Sequence, residues 1–209
     1  MKKFELVTDM SISFLGRKLF RIRALVDFTT KWGDTIKAGD LGGYVEKEEN
    51  LSHEGNAWVY GNARVYGNAK ASGNALVYGN ALVYGNAKVS GNALVHGNAW
   101  VSGNAKVSGN ALVHGNAWVS GNALVHGNAW VSGVNHVLTV GPIGSRNATT
   151  TFFRDKNNEI TVVCGCFLGN IEDFLKKVEE THGNNKHAKA YQAAAELAKI
   201  QIDLTKEEE

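Results

Sequence analysis

The chain has 209 residues, with 22 Lys and Arg against 20 Asp and Glu, which gives a formal net charge of +2. This balance excludes an overall electrostatic attraction to nucleic acid or to an anionic membrane, and we expect neither partner. No run approaches about 18 apolar residues, so we expect no membrane span and no signal peptide. The two cysteines, Cys164 and Cys166, make no disulfide framework, and we expect a cytoplasmic protein.

The first segment, residues 1–54, is predicted to be an N-terminal β cap. Arg17–Leu25 alternates like a strand, and Lys37–Gly43 has the composition of a turn that leads into Tyr44–Glu46. The basic residues of that strand favour a solvated face over a contact with an anion: Arg17, Lys18, Arg21 and Arg23.

Residues 55–132 consist of thirteen consecutive hexads of the form Gly-Asn-Ala-x-Val-x, in which only Ala71 replaces the valine. A glycine in every hexad excludes a helix, because each one costs about 1 kcal/mol relative to alanine. Ala-x-Val-x alternates like a short strand, and Gly-Asn accepts the positive φ of a corner. The hexads also hold four basic residues and no acidic one. They therefore predict a β-solenoid.

The aliphatic-to-small spacing, as from Val59 to Ala63, resembles the hexapeptide-repeat, left-handed parallel β-helix family. The resemblance implies three hexads, or 18 residues, in each coil, and it implies the left hand. Sorting the outward residues by 18 separates their chemistry, which supports a three-sided coil. The lysine face has Lys70, Lys88, Lys106 and Leu124; the second face has Trp58, Leu76, Leu94, Leu112 and Trp130; the third face has Arg64, Leu82, Trp100 and Trp118.

Two of these three faces are apolar, which is unusual for the surface of a soluble monomer. Outward tryptophan and leucine at this density are typical of protein interfaces. We expect a homotrimer, and the alternative is that the terminal segments of the same chain cover these faces. The predicted interface residues are Trp58, Leu76, Leu82, Leu94, Trp100, Leu112, Trp118 and Trp130.

Residues 133–209 are predicted to form a small C-terminal ββ(β)αα domain. The strands are Val137–Val140, Thr149–Arg154 and Glu159–Val163, with a hairpin turn at Asp155–Asn158. Asn170 is a good N-cap for a first helix that ends before Gly183. A second helix runs over about 186–202 and precedes an acidic tail, Glu207–Glu209.

The fold class is thus an all-β left-handed parallel β-helix, with an N-terminal β cap and a small C-terminal α+β domain. The hexads together with the entry Ala38-Gly-Asp-Leu-Gly-Gly-Tyr-Val-Glu46 resemble the YdcK-like β-solenoid proteins that are frequent in phage and prophage genomes. The hexads cover 78 of the 209 residues. This resemblance is specific for the fold and implies little about function.

The strongest local signal for a ligand follows the first predicted strand of the C-terminal domain. Glycine N–H groups, a serine hydroxyl and an arginine suit phosphate or carboxylate, although the Lys-Ser/Thr of a P-loop is missing. An ordinary Gly-Pro turn with an exposed arginine is the alternative. The candidate residues are Gly141, Gly144, Ser145, Arg146 and, on the neighbouring strand, Arg154.

Two other groups of residues were weighed as chemical sites. Cys164 and Cys166 lie two apart on a predicted strand, with His182 and His187 farther along, but the spacing is not that of a zinc motif. We expect no metal and no cofactor. Residues 55–132 contain no threonine, which excludes the outward threonine arrays of ice-binding solenoids.

The enzyme alternative rests on His96, His114 and His126. Hexapeptide acyltransferases place a histidine near a subunit boundary and bind acyl-CoA between coils. The resemblance therefore makes an acyl-CoA-dependent acyltransferase the alternative function. Against it, the coils carry no inserted loop, and tyrosine or serine takes the same hexad position elsewhere. The sequence favours a non-enzymatic, phage-type trimeric scaffold. Its C-terminal domain is predicted to bind a small anionic or nucleotide ligand, such as a host-defence signal, or a host protein.

Overall fold

The computed structural model describes residues 1–205, so the predicted acidic tail Glu207–Glu209 lies outside the described residues. Within them the chain forms an N-terminal sheet, a solenoid of parallel strands and a C-terminal domain of four strands and two helices.

The N-terminal segment adds strands to one side of the solenoid. Its elements are β1 Phe4–Phe14, β2 Arg17–Ala24, β3 Phe28–Thr29, β4 Thr35–Ile36, β5 Leu41–Val45 and a 3₁₀ turn Glu48–Asn50. β1 and β2 are antiparallel, β2 is antiparallel to β5, and β5 pairs in parallel with a solenoid strand through Tyr44 and Arg64.

The predicted strand at Arg17–Leu25 is confirmed as β2, and its Arg17 and Arg23 pair with glutamates at exposed positions. The predicted turn at Lys37–Gly43 is wrong in its second half, because Leu41–Gly43 belong to β5. Gly42 and Gly43 are required there by close packing, since a Cβ on either would overlap the first coil of the solenoid.

The hexads form thirteen two-residue strands, one in each hexad, as predicted. They are β6 Trp58–Val59, β7 Arg64–Val65, β8 Lys70–Ala71, β9 Leu76–Val77, β10 Leu82–Val83, β11 Lys88–Val89, β12 Leu94–Val95, β13 Trp100–Val101, β14 Lys106–Val107, β15 Leu112–Val113, β16 Trp118–Val119, β17 Leu124–Val125 and β18 Trp130–Val131.

Every solenoid strand pairs in parallel with the strand 18 residues away, as Lys88 does with Lys70 and Lys106. The strands sort into three sheets that correspond to the three predicted faces. The alanine and the residue at the valine position of each hexad point inward and are fully buried. The prediction of a three-sided coil is therefore confirmed.

The Gly-Asn corners join one sheet to the next. The hexad glycines have φ between 58 and 72°, the region that favours glycine. Asparagine side chains stack along the corners, and Asn86, for example, donates from Nδ2 to Oδ1 of Asn104 at 3.0 Å. These side-chain ladders run parallel to the backbone ladders and fix the same 18-residue register.

The N-terminal end of the solenoid is closed by two side chains that replace a missing coil. Within the solenoid, glycine and alanine carbonyls accept N–H groups of the preceding coil, as Gly79 accepts from Asn62 at 2.9 Å. In the first hexad, Lys3 Nζ donates instead to the carbonyls of Gly55 at 3.0 Å and Ala57 at 2.8 Å.

Asn50 acts in the same way two corners farther on. Its Nδ2 donates to the carbonyl oxygens of Gly67 at 3.1 Å and Ala69 at 2.7 Å. Both Lys3 and Asn50 are buried. Polar side chains are rarely buried unless they have hydrogen-bond partners, and these carbonyls supply them. Burial lowers the pKa of Lys3 to about 8.

The N-terminal segment also covers part of the two apolar faces. Trp58 is 1% exposed and lies edge-on to the rings of Phe4 and Phe28. Leu76 and Leu82 are buried as well. The prediction that these three residues form an oligomer interface is therefore wrong, because each of them is already buried within the single chain.

The uncovered part of these faces lies toward the C-terminal half of the solenoid. Trp100, Trp118 and Trp130 are 43%, 52% and 40% exposed, and Leu94 and Leu112 are half-buried. These five residues of the predicted interface are accessible at least in part, and their role in assembly stays a prediction.

The three solenoid histidines are placed on two different faces. His96 and His114 stack with ring centroids 5.2 Å apart on the second face, between the rings of Tyr78 and Trp130. Burial, and then the charge of His114, lower the pKa of His96. His126 is exposed on the lysine face.

The C-terminal domain has one strand more than predicted, and its four strands follow one another in chain order in a single sheet. The Asp155–Asn158 hairpin turn, the Asn170 N-cap and the helix end before Gly183 are confirmed. The elements are a 3₁₀ turn Val134–His136, β19 Val137–Ile143, β20 Ala148–Arg154, β21 Ile160–Cys164, β22 Phe167–Asn170, α1 Ile171–His182 and α2 Lys186–Gln201.

This domain is joined to the last coil by hydrogen bonds as well as by the chain. The buried Thr151 accepts at Oγ1 from Leu124 N–H at 3.0 Å, and Ala129 forms an antiparallel bridge with Asp155. Lys156 N–H donates to the carbonyl of Asn128 at 3.0 Å. The domain thus closes the C-terminal end of the solenoid.

Replacing Lys3 with methionine tests the closure of the N-terminal end. We expect Lys3→Met to lower the free energy of unfolding by about 2 kcal/mol or more, because it removes the donor from two carbonyls, of which that of Ala57 is buried. The neighbouring Lys2→Met removes only an exposed ion pair with Glu48 and should cost less than about 1 kcal/mol. Urea denaturation measures both, and equal losses would contradict the capping role.

Candidate functional site

A cavity of about 280 Å³ opens in the C-terminal domain between the β19–β20 turn, the β21–β22 hairpin and both helices. It gathers residues that are distant in sequence. Its lining residues are Ser145, Arg146, Ala148, Cys164, Gly165, Cys166, Phe167, Phe174, Lys177, Val178, Thr181, His182 and Tyr191.

Aromatic rings form the floor of this cavity. Phe174 lies on the buried side of α1, and its ring centroid is 5.5 Å from that of Phe167 and 5.6 Å from that of Tyr191. His182 stacks on Tyr191 with the ring centroids 5.7 Å apart. The floor is therefore made by apolar and aromatic groups held by the packing of α1 and α2 on the sheet.

A short chain of hydrogen bonds adds polar atoms to this floor. Thr150 Oγ1 donates to Cys164 Sγ at 3.3 Å, and the Cys164 thiol donates to the Tyr191 hydroxyl at 3.7 Å. Burial, and then the hydrogen bond with Cys164, raise the pKa of Tyr191 to about 12. Tyr191 therefore keeps its proton at neutral pH and has an O–H to donate.

The rim of the cavity carries positive charge. Arg146 comes from the turn that begins at Gly144, and Lys177 comes from α1, where it pairs with Glu180 at 2.9 Å. Among the described residues 1–205, no aspartate or glutamate lines the cavity. Two cations beside a neutral hydroxyl make a site that favours an anion.

The turn that positions Arg146 depends on one glycine. Gly144 has a φ of 73°, and a Cβ added there would overlap the hydroxyl and ring of Tyr191. The turn is closed by Asn147 N–H, which donates to the Gly144 carbonyl at 3.3 Å. The predicted residues Gly144, Ser145 and Arg146 are thus brought together at the cavity.

Arg154 does not join them, and its predicted role in ligand binding is wrong. It lies at the far end of β20 from Arg146 and is 3% exposed. Its Nε donates to Asn158 Oδ1 at 2.7 Å, and its Nη1 lies 3.2 Å from His136 Nε2. The adjacent hairpin therefore holds this guanidinium away from the cavity.

Gly141 is also separated from the Arg146 cavity. It lines a second, open cavity of about 490 Å³ between β19 and the end of the third face, beside Trp118 and Val134. Its place in the proposed anion site is therefore wrong, because β19 continues past it to Ile143 before the turn begins.

The arrangement of the cysteines differs from the prediction. Cys164 ends β21, whereas Cys166 lies in the turn before β22, so the two do not share one strand. His182 reaches the cavity, and the ring of His187 lies tilted against that of His182, with the ring centroids 5.9 Å apart. Within residues 1–205, no three His, Cys, Asp or Glu side chains cluster as a metal site would require.

The lining residues that the sequence reasoning missed include Lys177, Phe167 and Tyr191. Tyr191 could have been found from the sequence, since it is the one Tyr, Phe or Trp in the alanine-rich helix α2. Lys177 could not have been found in this way, because an exposed lysine on an amphipathic helix is ordinary.

The three stacked parallel sheets define this chain as a β-solenoid protein. Four segments, residues 57–73, 87–103, 105–121 and 117–133, match the family model of the YdcK beta solenoid repeat, so these parts of the solenoid are similar to YdcK-type repeats. No curated protein is similar enough to the chain to count as a match. Neither helix in the described residues has the length and hydropathy needed to cross a bilayer.

Placing a methyl group at Gly144 tests how the turn and Tyr191 fit together. Gly16 is the matched control, because its φ of 75° is close to that of Gly144 and a Cβ there meets no neighbouring atom. Gly16→Ala carries only the backbone strain. We expect Gly144→Ala to lower the free energy of unfolding by about 1–3 kcal/mol more than Gly16→Ala, because Tyr191 must move. Equal losses in urea denaturation would show that Tyr191 does not constrain the turn.

Proposed function

We propose that this protein is a non-enzymatic scaffold whose solenoid assembles into a homotrimer and presents a binding site for a small anionic ligand. The observation that carries the proposal is the cavity rimmed by Arg146 and Lys177. It combines two cations with hydroxyl groups of Ser145, Thr181 and Tyr191. Guanidinium and ammonium groups are the usual partners of phosphate and carboxylate in proteins.

The junction between solenoid and domain supports a presenting role. The bonds from Leu124 to Thr151 and from Lys156 to Asn128 continue the coil ladder into the C-terminal sheet. A domain attached in this way is held in one orientation rather than on a flexible linker. The solenoid therefore determines where the cavity points.

The exposed tryptophans support self-association. Trp100 and Trp118 lie on the third face with ring centroids 6.1 Å apart, and Trp130 lies on the second. Indole rings exposed on adjacent coils form an apolar surface of the kind that protein interfaces bury. Two apolar faces beside one lysine face suit a cyclic trimer, in which each chain contacts two others.

The identity of the ligand and the phage-type role remain parts of this proposal. A nucleotide signal is the more specific form of the ligand proposal, and a host protein target is the alternative for the same C-terminal domain. The acyltransferase alternative rests on His96 and His114, and their stacking between Tyr78 and Trp130 favours a packing role. Turnover of acetyl-CoA that His96→Ala or His114→Ala abolishes would support it instead.

Analytical ultracentrifugation at micromolar concentration tests the assembly. We expect a trimer for the wild-type chain, and a monomer with an unchanged circular dichroism spectrum for the double variant Trp100→Lys and Trp118→Lys. Lysine takes the same hexad position on the lysine face, so the coil accepts it. Ile200→Lys on α2, where the side chain is 82% exposed, is the control and should stay trimeric. A monodisperse wild-type monomer would overturn the assembly.

Isothermal titration calorimetry with inorganic phosphate, a nucleoside monophosphate and a neutral nucleoside tests the ligand site. We expect the anions to bind the full chain and Arg146→Gln to weaken binding about tenfold or more, since a charged hydrogen bond is worth about 1.5–3 kcal/mol. Lys176→Gln, one residue away from Lys177 and outside the cavity lining, is the matched control. No heat with either anion would overturn the proposed function.

A further inference from the structure

The cavity beside Arg146 joins an apolar floor to a cationic rim, and this combination restricts the ligand. Resting on the anion site proposed above, we propose that the ligand is an aromatic ring that carries a single phosphate group. The ring would lie on the floor against Phe167 and Phe174, and the phosphate would lie at the rim with Arg146 and Lys177.

The size of the cavity limits the ligand to one ring system and its substituent. Its volume of about 280 Å³ is at the lower end of the range of roughly 300–1,000 Å³ found for small-molecule sites. A dinucleotide or a coenzyme would extend far outside it. The ligand that fills it therefore has about the size of a phosphorylated ring.

The floor favours a ring over an inorganic anion. Ala148, Phe167, Phe174 and Val178 present carbon atoms there, and a phosphate ion alone would leave that surface in contact with water. A planar ring covers it and gains stacking contacts with the aromatic side chains. The anion is thus one end of the ligand rather than the whole of it.

The rim suits one doubly charged group. Arg146 presents a planar fork of N–H donors and Lys177 a mobile ammonium, so the two cations match the two charges of a phosphate monoester. Glu180 pairs with Lys177 without lining the cavity, and it would hold that ammonium beside the opening.

The Tyr191 hydroxyl gives the floor one polar contact. Its oxygen already accepts from the Cys164 thiol, and its proton is retained because its pKa is raised to about 12. It is therefore a donor for an acceptor atom on the ring or on the ester oxygen. A ring with such an acceptor, as in a nucleobase, gains this bond, and a plain phenyl ring does not.

Calorimetric titration of the full chain with four probes tests the ligand class. The probes are inorganic phosphate, phenyl phosphate, adenosine monophosphate and neutral benzyl alcohol. We expect both ring phosphates to bind at least about tenfold more tightly than inorganic phosphate, and benzyl alcohol to bind more weakly than either. The tighter of the two ring phosphates shows whether the ring is a nucleobase or a simple aryl group.

Variants on the floor separate this inference from the anion site itself. Phe167→Leu should reduce the preference for ring phosphates several-fold and leave the affinity for inorganic phosphate unchanged. Leu168→Ala, at the next and exposed residue outside the lining, should change neither. Equal affinity for inorganic and ring phosphates, or equal affinity for benzyl alcohol, would overturn the ligand class. Binding of no anion at all would overturn the proposed function as well.

Discussion

The structure depends on one constraint, which is that every coil of the solenoid must exchange backbone hydrogen bonds with the coil 18 residues away. A ladder of this kind is complete in the middle and incomplete at both ends, where donors or acceptors face no partner. Lys3 and Asn50 supply the missing donors at the first coil, and Thr151 supplies an acceptor at the last. The flanking segments are therefore part of the solenoid's hydrogen bonding.

This constraint also explains why the cavity lies where it does. The sheet of the C-terminal domain must meet the last coil with β20, so that its other side is left for α1 and α2. The helices pack on that side through Phe174 and Tyr191, and the cavity opens where their contact with the β19–β20 turn ends. The face toward the solenoid contributes Phe153 and Val163 to the solenoid core, and the opposite face contributes Phe152 and Val162 to the packing of the helices.

The hexads made most of the fold predictable from sequence, because each strand and corner is determined by residues within the same six positions. The burial of Trp58 was not predictable in this way, since it depends on where Phe4 and Phe28 fold back over the first coil. Among the parts of the chain that surround the cavity, only the turn Gly144–Arg146 was predictable from sequence as a ligand site. Tyr191 reaches that turn through tertiary packing, and Arg154 leaves it because strand length carries it to the opposite end.

The equivalence of the hexads has a further consequence for how the molecule can change in evolution. Because three hexads complete one circuit, gain or loss of 18 residues would lengthen or shorten the rod by about 4.8 Å, the spacing between neighbouring strands, and keep both ends in the same orientation. Gain or loss of a single hexad would instead rotate the terminal domain by one third of a turn about the rod axis. The number of hexads therefore determines both the length of the rod and the angle of the terminal domain about the rod axis.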